Sequence, residues 1–149
     1  MSEYNEDAYR LARTSVNPTP CAFEKGVLAR CVACSQSEKH LLAERETVNC
    51  SNPAAQTRCA ELKALLRGHS AFALKISRVG PPLPHAKELK IQCGGLRGLQ
   101  KSISGEDAVA DVFALIEQAL AQHGDLENLP YSEVVQGVVH FEGRRRGQA

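Results

Sequence analysis

Five cysteines fall between Cys21 and Cys59, at the spacing C-x9-C-x2-C-x15-C-x8-C, and a sixth, Cys93, stands apart. No other feature narrows the choice of fold as much, because a fold that brings several thiols together must serve them. The tight pair, Cys31 and Cys34, can place two sulfurs on one ion with little chain strain, as in zinc and iron–sulfur sites. Zinc ribbons pair two such knuckles, and here there is one. Cysteines spread over several helices suit a polynuclear cluster, which is larger than a single ion. The spacing therefore predicts an iron–sulfur centre, with zinc as the alternative. The expected ligands are Cys31, Cys34, Cys50 and Cys59, with Cys21 as the substitute. His40 is a weaker candidate on a charged segment. Cys93 alone, and Cys59 taken alone, read more naturally as small buried hydrophobes.

The compartment matters to this argument. The first residues, MSEYNEDAYRLARTS, are acidic and polar and carry no apolar core of a secretory signal. The expectation is a cytoplasmic chain whose thiols are kept reduced, where clustered cysteines mean metal or redox chemistry more often than a disulfide framework. No apolar run reaches the length of a membrane span. The net charge of +1 and the absence of Trp argue against nucleic acid as a partner. Another protein is the expected partner. Arg144, Arg145 and Arg146 in the polar tail are the candidate contact for a phosphate or a carboxylate-rich surface.

Hydrophobic periodicity predicts a mainly α, small irregular helical domain of about five to seven helices with a Cys-rich N-terminal half. Four stretches are distinguished: an N-terminal segment (1–18), a Cys-rich helical metal-binding region (19–79), a helical region packed on it as one domain (80–142), and a basic tail (143–149). A short helix is expected over residues 3–15, anchored by Tyr9 and Leu11. A second begins at Thr19 or Cys21, with Phe23, Val27, Cys31 and Cys34 on one face. Were it unbroken, Cys21 and Cys31 would lie about 15 Å apart and could not share a small centre. So either Cys21 is outside the site or the helix begins well after it.

A third helix is expected over residues 36–48. Asn52 and Pro53 form an N-cap and first-turn signature for a fourth, which runs to about Leu66 with Gly68 as its stop. That places Cys50 before a helix N-terminus, where a thiolate is favoured. Residues 70–77 are read as a helical turn, and Gly80 to Pro84 as an extended linker. Gly94, Gly95 and Gly98 are expected to loosen the segment around them. Residues 104–123 form the most strongly patterned helix, with a stripe of Val109, Val112, Phe113, Ile116 and Leu120. A last helix covers residues 131–142.

No nucleophile–base–acid set stands at a recognisable spacing, and catalysis is not expected. Electron transfer, redox sensing or accessory service to a larger metalloenzyme is the expected role. The alternatives are a structural-zinc interaction module and a metal-free helical adaptor with core cysteines. A sensor built on a pair of thiols is open as well.

Overall fold

A computed structural model of the chain describes residues 18–142. The helix expected over residues 3–15 and the arginines Arg144, Arg145 and Arg146 lie outside the described residues. The longest element starts where the sequence caps it. The Asn52 side chain accepts a hydrogen bond from the Ala55 N–H (3.1 Å), and Pro53 fills the first helical position, where no N–H is needed. This helix, α2, spans Pro53–Leu74. It passes through Gly68 without stopping, takes in most of the apolar stretch after it, and ends at Lys75 in a left-handed cap (φ 57°). Leu62 and Leu66 are fully buried on its inner face.

The segment before α2 differs from expectation. Helix α1 is short, Glu24–Leu28, and buries Phe23 and Val27 as the periodicity implies. It stops before Cys31, because Arg30 turns the chain through a left-handed backbone (φ 63°). So α1 begins after Cys21 and ends before Cys31, which removes the 15 Å separation. Residues 36–48, expected to be helical, instead contribute to an antiparallel hairpin of β1 (Ser37–Leu42) and β2 (Arg45–Cys50). Ala43 and Glu44 make its two-residue turn, both at positive φ (51° and 68°), as hairpins with the native strand twist require. The fold is thus mainly α, but it is not all-α.

Pairing continues beyond β2. The Cys21 N–H donates to the Val48 carbonyl (2.9 Å) and the Cys50 N–H to that of Thr19 (2.7 Å). The Glu24 carboxylate accepts from the Val48 N–H (2.8 Å). Thr47, Val48, Asn49 and Cys50 are consequently all buried, with none of the alternation of a strand that keeps one face in water.

The second half is helical. Helix α3 (His85–Leu89) runs through a π-helical turn (Lys90–Gly94) into α4 (Gly95–Ser104). Helix α5 is Val112–His123 and α6 is Tyr131–His140. The start expected at residue 104 is displaced to Asp111, whose carboxylate accepts from the N–H of Phe113 (3.1 Å) and from that of Ser35 (2.9 Å). One side chain thus caps α5 and anchors the loop that carries Cys34. Val112, Leu115, Ile116 and Ala119 face the core, and Phe113 is only half-buried.

The glycines of the π turn and α4 do not loosen the structure. They let α6 approach so closely that a Cβ placed on Gly94 would lie 2.6 Å from the Gly137 carbonyl oxygen, and one on Gly98 2.7 Å from that of Val134. Here glycine is a packing residue, used where backbones nearly touch. Buried Gln92 joins the halves. Its amide oxygen accepts from the Gly26 N–H (2.9 Å), and its amide nitrogen donates to Glu88 (2.9 Å).

Candidate functional site: a thiol quartet and a disulfide

Four reduced cysteines converge from four different elements. Cys21 lies just ahead of α1. Cys34 lies in the turn into β1, where its carbonyl accepts from the Ser37 hydroxyl (2.8 Å). Cys50 closes β2, and Cys59 lies in the second turn of α2. Together with Phe23, Val27, Ala55, Val112 and Phe113 they surround a void of about 20 Å³. Water-sized volume on that scale admits about one molecule.

The fourth member is Cys21, the substitute, and not Cys31. Cys31 forms a disulfide with Cys93, 62 residues away in sequence, with Cα atoms 5.9 Å apart. That separation is ordinary for a disulfide. His40 sits on β1 opposite Thr47 and takes no part.

The metal centre expected from the spacing, iron–sulfur or zinc, is corrected by this arrangement. Among the described residues, no group of three or more His, Cys, Asp or Glu side chains could hold a metal ion. One of the intended ligands is consumed in a disulfide, and the sulfur of a disulfide offers no thiolate. Of the tight Cys31/Cys34 pair that motivated the expectation, Cys31 is in the disulfide and Cys34 is a free thiol.

Cys21, Cys34 and Cys59 are half-buried, Cys50 is buried, and the first three are thiols whose protons are held more tightly than usual. Burial, the dominant cause, pushes Cys21 up to about 11 and Cys59 up to about 12. Neighbouring sulfurs add to the shift: a charge on Cys34 or Cys50 would oppose one on either of them. Cys34 is raised as well, again first by burial. The S–H of Cys50 donates to the Asn52 carbonyl (3.2 Å).

A stability prediction follows from these shifts. The folded state holds the Cys21 and Cys59 protons more tightly than the unfolded chain does. Their contribution is therefore fully present below pH 9.0 and is lost as pH rises through about 11 and about 12. Urea unfolding of wild type should show a fall across that window. In a Cys21→Ala/Cys59→Ala variant the fall should be shallower, and equal slopes would contradict the assignment.

On the outer side of the disulfide lies an open cleft of about 440 Å³. Cys31, Cys34, Arg30, Lys39 and Arg97 are among its lining residues. Arg97 donates from Nε to the Cys31 carbonyl (3.3 Å), and its guanidinium lies 5.5 Å from the centre of the Phe141 ring. Sequence reasoning did not single out these three cations, since nothing local groups positions 30, 39 and 97. The cysteines differ in access: Cys31 is half-buried, and Cys93 is fully buried.

Among the described residues, no helix is long and apolar enough to cross a membrane. Compared with known proteins, the chain matches no family model, no curated protein sequence and no solved structure.

Proposed function

We propose that this chain is a redox-responsive accessory protein in which the Cys31–Cys93 pair is the switch and the remaining thiols pack in or against the core. The observation that carries the reading is the division among six cysteines. One pair is joined, with one member lining an open cleft and the other fully buried, while four stay reduced. Cys31 and Cys93 lie on either side of the Pro-rich linker, so making or breaking the bond alters how firmly the Cys-rich part is held on the helical part. A protein partner that distinguishes the two states would read the signal. A cytoplasmic placement belongs to this proposal, since a disulfide there forms transiently and serves sensing or catalysis more often than architecture.

The test is equilibration of the full chain in buffers of graded thiol–disulfide ratio, followed by acid quench, denaturation and alkylation with mass readout. The expected result is a reversible transition between four and six alkylated cysteines. Helical circular dichroism should be retained at both ends. Irreversible unfolding on reduction would show the bond to be structural and would sink the proposal.

A second reading, a helical adaptor whose cysteines serve only as core residues, draws support from the quartet. Cys21 and Cys59 are held protonated by burial, the condition of inert thiols. That reading accounts for four of the six cysteines. It assigns no purpose to a disulfide one of whose residues lines a cleft.

A further inference from the structure

We propose that the cleft beside the disulfide is the entry site of a small anionic thiol, which reduces Cys31–Cys93 by attack on Cys31. This rests on the redox reading above and names the reductant for it.

Access selects the sulfur. Cys93 has 0% exposure, whereas Cys31 is half-buried and lines the cleft. At about 440 Å³, the cleft matches the size of small-molecule sites. Its charge selects the reductant. Arg30, Lys39 and Arg97 line it, and none of its lining residues is acidic. Arg30 is next to Cys31 in the chain, in a turn whose left-handed backbone sets its direction. Arg97 is held by its bond to the Cys31 carbonyl and by the ring of Phe141, so one positive charge stands at a fixed place beside the loop that carries the sulfur. Thiol–disulfide exchange spreads a negative charge over three sulfurs in line, and cations close to that line lower its energy. A reductant that carries a carboxylate or sulfonate would also be concentrated in the cleft before reacting.

The chemistry balances with two equivalents of that thiol. The first, as thiolate, forms a bond to Cys31 Sγ while the Cys31–Cys93 bond breaks, and Cys93 leaves as a thiolate and takes up a proton. The second attacks the reductant's own sulfur in the mixed disulfide. That step releases Cys31 as a thiolate, which is then protonated, and yields the small disulfide. Two small thiols are oxidised by two electrons in total, and the protein disulfide is reduced to two thiols.

The experiment uses the full oxidised chain and three probes of similar size: 2-mercaptoethanesulfonate (anionic), 2-mercaptoethanol (neutral) and cysteamine (cationic). Rates of disulfide loss are divided by the thiolate concentration of each probe. At low salt the anionic probe should exceed the neutral one by at least about tenfold, and the cationic probe should be slowest. That order should flatten in 1 M salt. It should also flatten in an Arg30→Gln/Lys39→Gln variant, whose two changed side chains are exposed and whose fold is checked by circular dichroism. Should the pair of changes prevent folding, the two single variants each lose part of the preference. Equal normalised rates for the three probes would overturn the anionic-thiol site while leaving the redox reading intact. A preference that survives in the Gln variants would overturn the cleft. A disulfide that no probe reduces in the folded protein would overturn both.

Discussion

Gly94→Ala is expected to lower unfolding stability by about 3 kcal/mol, the upper part of the range for overpacking. The new Cβ would sit 2.6 Å from the Gly137 carbonyl oxygen, 2.7 Å from the Val138 Cα and 2.9 Å from the Phe141 Cβ. Two of these are backbone atoms, on or within α6, and cannot give way singly. The helix would have to move outward as a body, and Val134 and Val138, both fully buried, would lose their contacts with the rest of the core. Gly68→Ala is the control. A Cβ there meets only the Arg78 side chain, at 3.9 Å, in the interior of a long helix. That change should stabilise by about 0.5–1 kcal/mol. Urea unfolding midpoints for the two variants should therefore move in opposite directions, and a cost below about 1 kcal/mol for Gly94→Ala would mean that α4 and α6 are not so close.

Opening the disulfide is expected to have an effect of similar or greater size by a different route. The bond closes a loop with a sequence separation of 62 residues, for which the chain-entropy relation gives about 4 kcal/mol at 25 °C. For a chain of this length that corresponds to a fall in Tm of roughly 8–16 °C. The double variant Cys31→Ala/Cys93→Ala should show the fall without any reductant, and adding reductant should then change nothing further. Wild type in reductant should approach the double variant. A wild-type Tm that is indifferent to reductant would mean that the loop is already constrained in the unfolded chain or that the bond is not formed in solution.

What could be read from the sequence depended on how local the cause was. The start of α2 was legible because Asn52 and Pro53 act within one turn. The stripes of α5 and α6 were legible because Val112, Ile116, Val134 and Val138 repeat at helical spacing. The hairpin was missed for a physical reason. Its residues, with Leu41, Leu42, Ala43, Glu44 and Arg45 in succession, favour helix intrinsically. Its turn also lacks the Gly or Asn that usually marks positive φ; Ala43 and Glu44 take that conformation without it. Strand pairing with residues around Pro20 overrides the local preference, and that partner lies outside any sequence window.

The site was legible in part. The crowding of cysteines marked the segment, and Cys34, Cys50 and Cys59 line one small void together with Cys21. The exchange of Cys31 for Cys21 turned on where α1 begins and ends, which the apolar stripe through Cys31 and Cys34 obscured. Cys93 lies beyond the linker, where no sequence window joins it to Cys31. Only the tertiary fold, with Gln92 bound to Gly26, brings that segment back against the turn that carries Cys31. The glycines were misread for the same kind of reason. A Gly-rich stretch suggests freedom until its neighbour is known, and the neighbour here is another glycine, Gly137, on a helix far along the chain.

The π turn at Lys90–Gly94 has a consequence for chain length. A turn of this kind holds one residue more than an α-helical turn, so the chain fits an extra residue without turning the helix that follows. Within the turn, Gln92 and Cys93 address residues 26 and 31. Downstream, Gly98 addresses Val134 and Gly137. Deleting one residue of the turn would leave a plain α-helical turn and keep the face of Gly98 towards α6, and the loss would fall on Gln92 and Cys93. Deleting one residue from α4 itself, before Gly98, would instead rotate Gly98 by about 100° away from its partner.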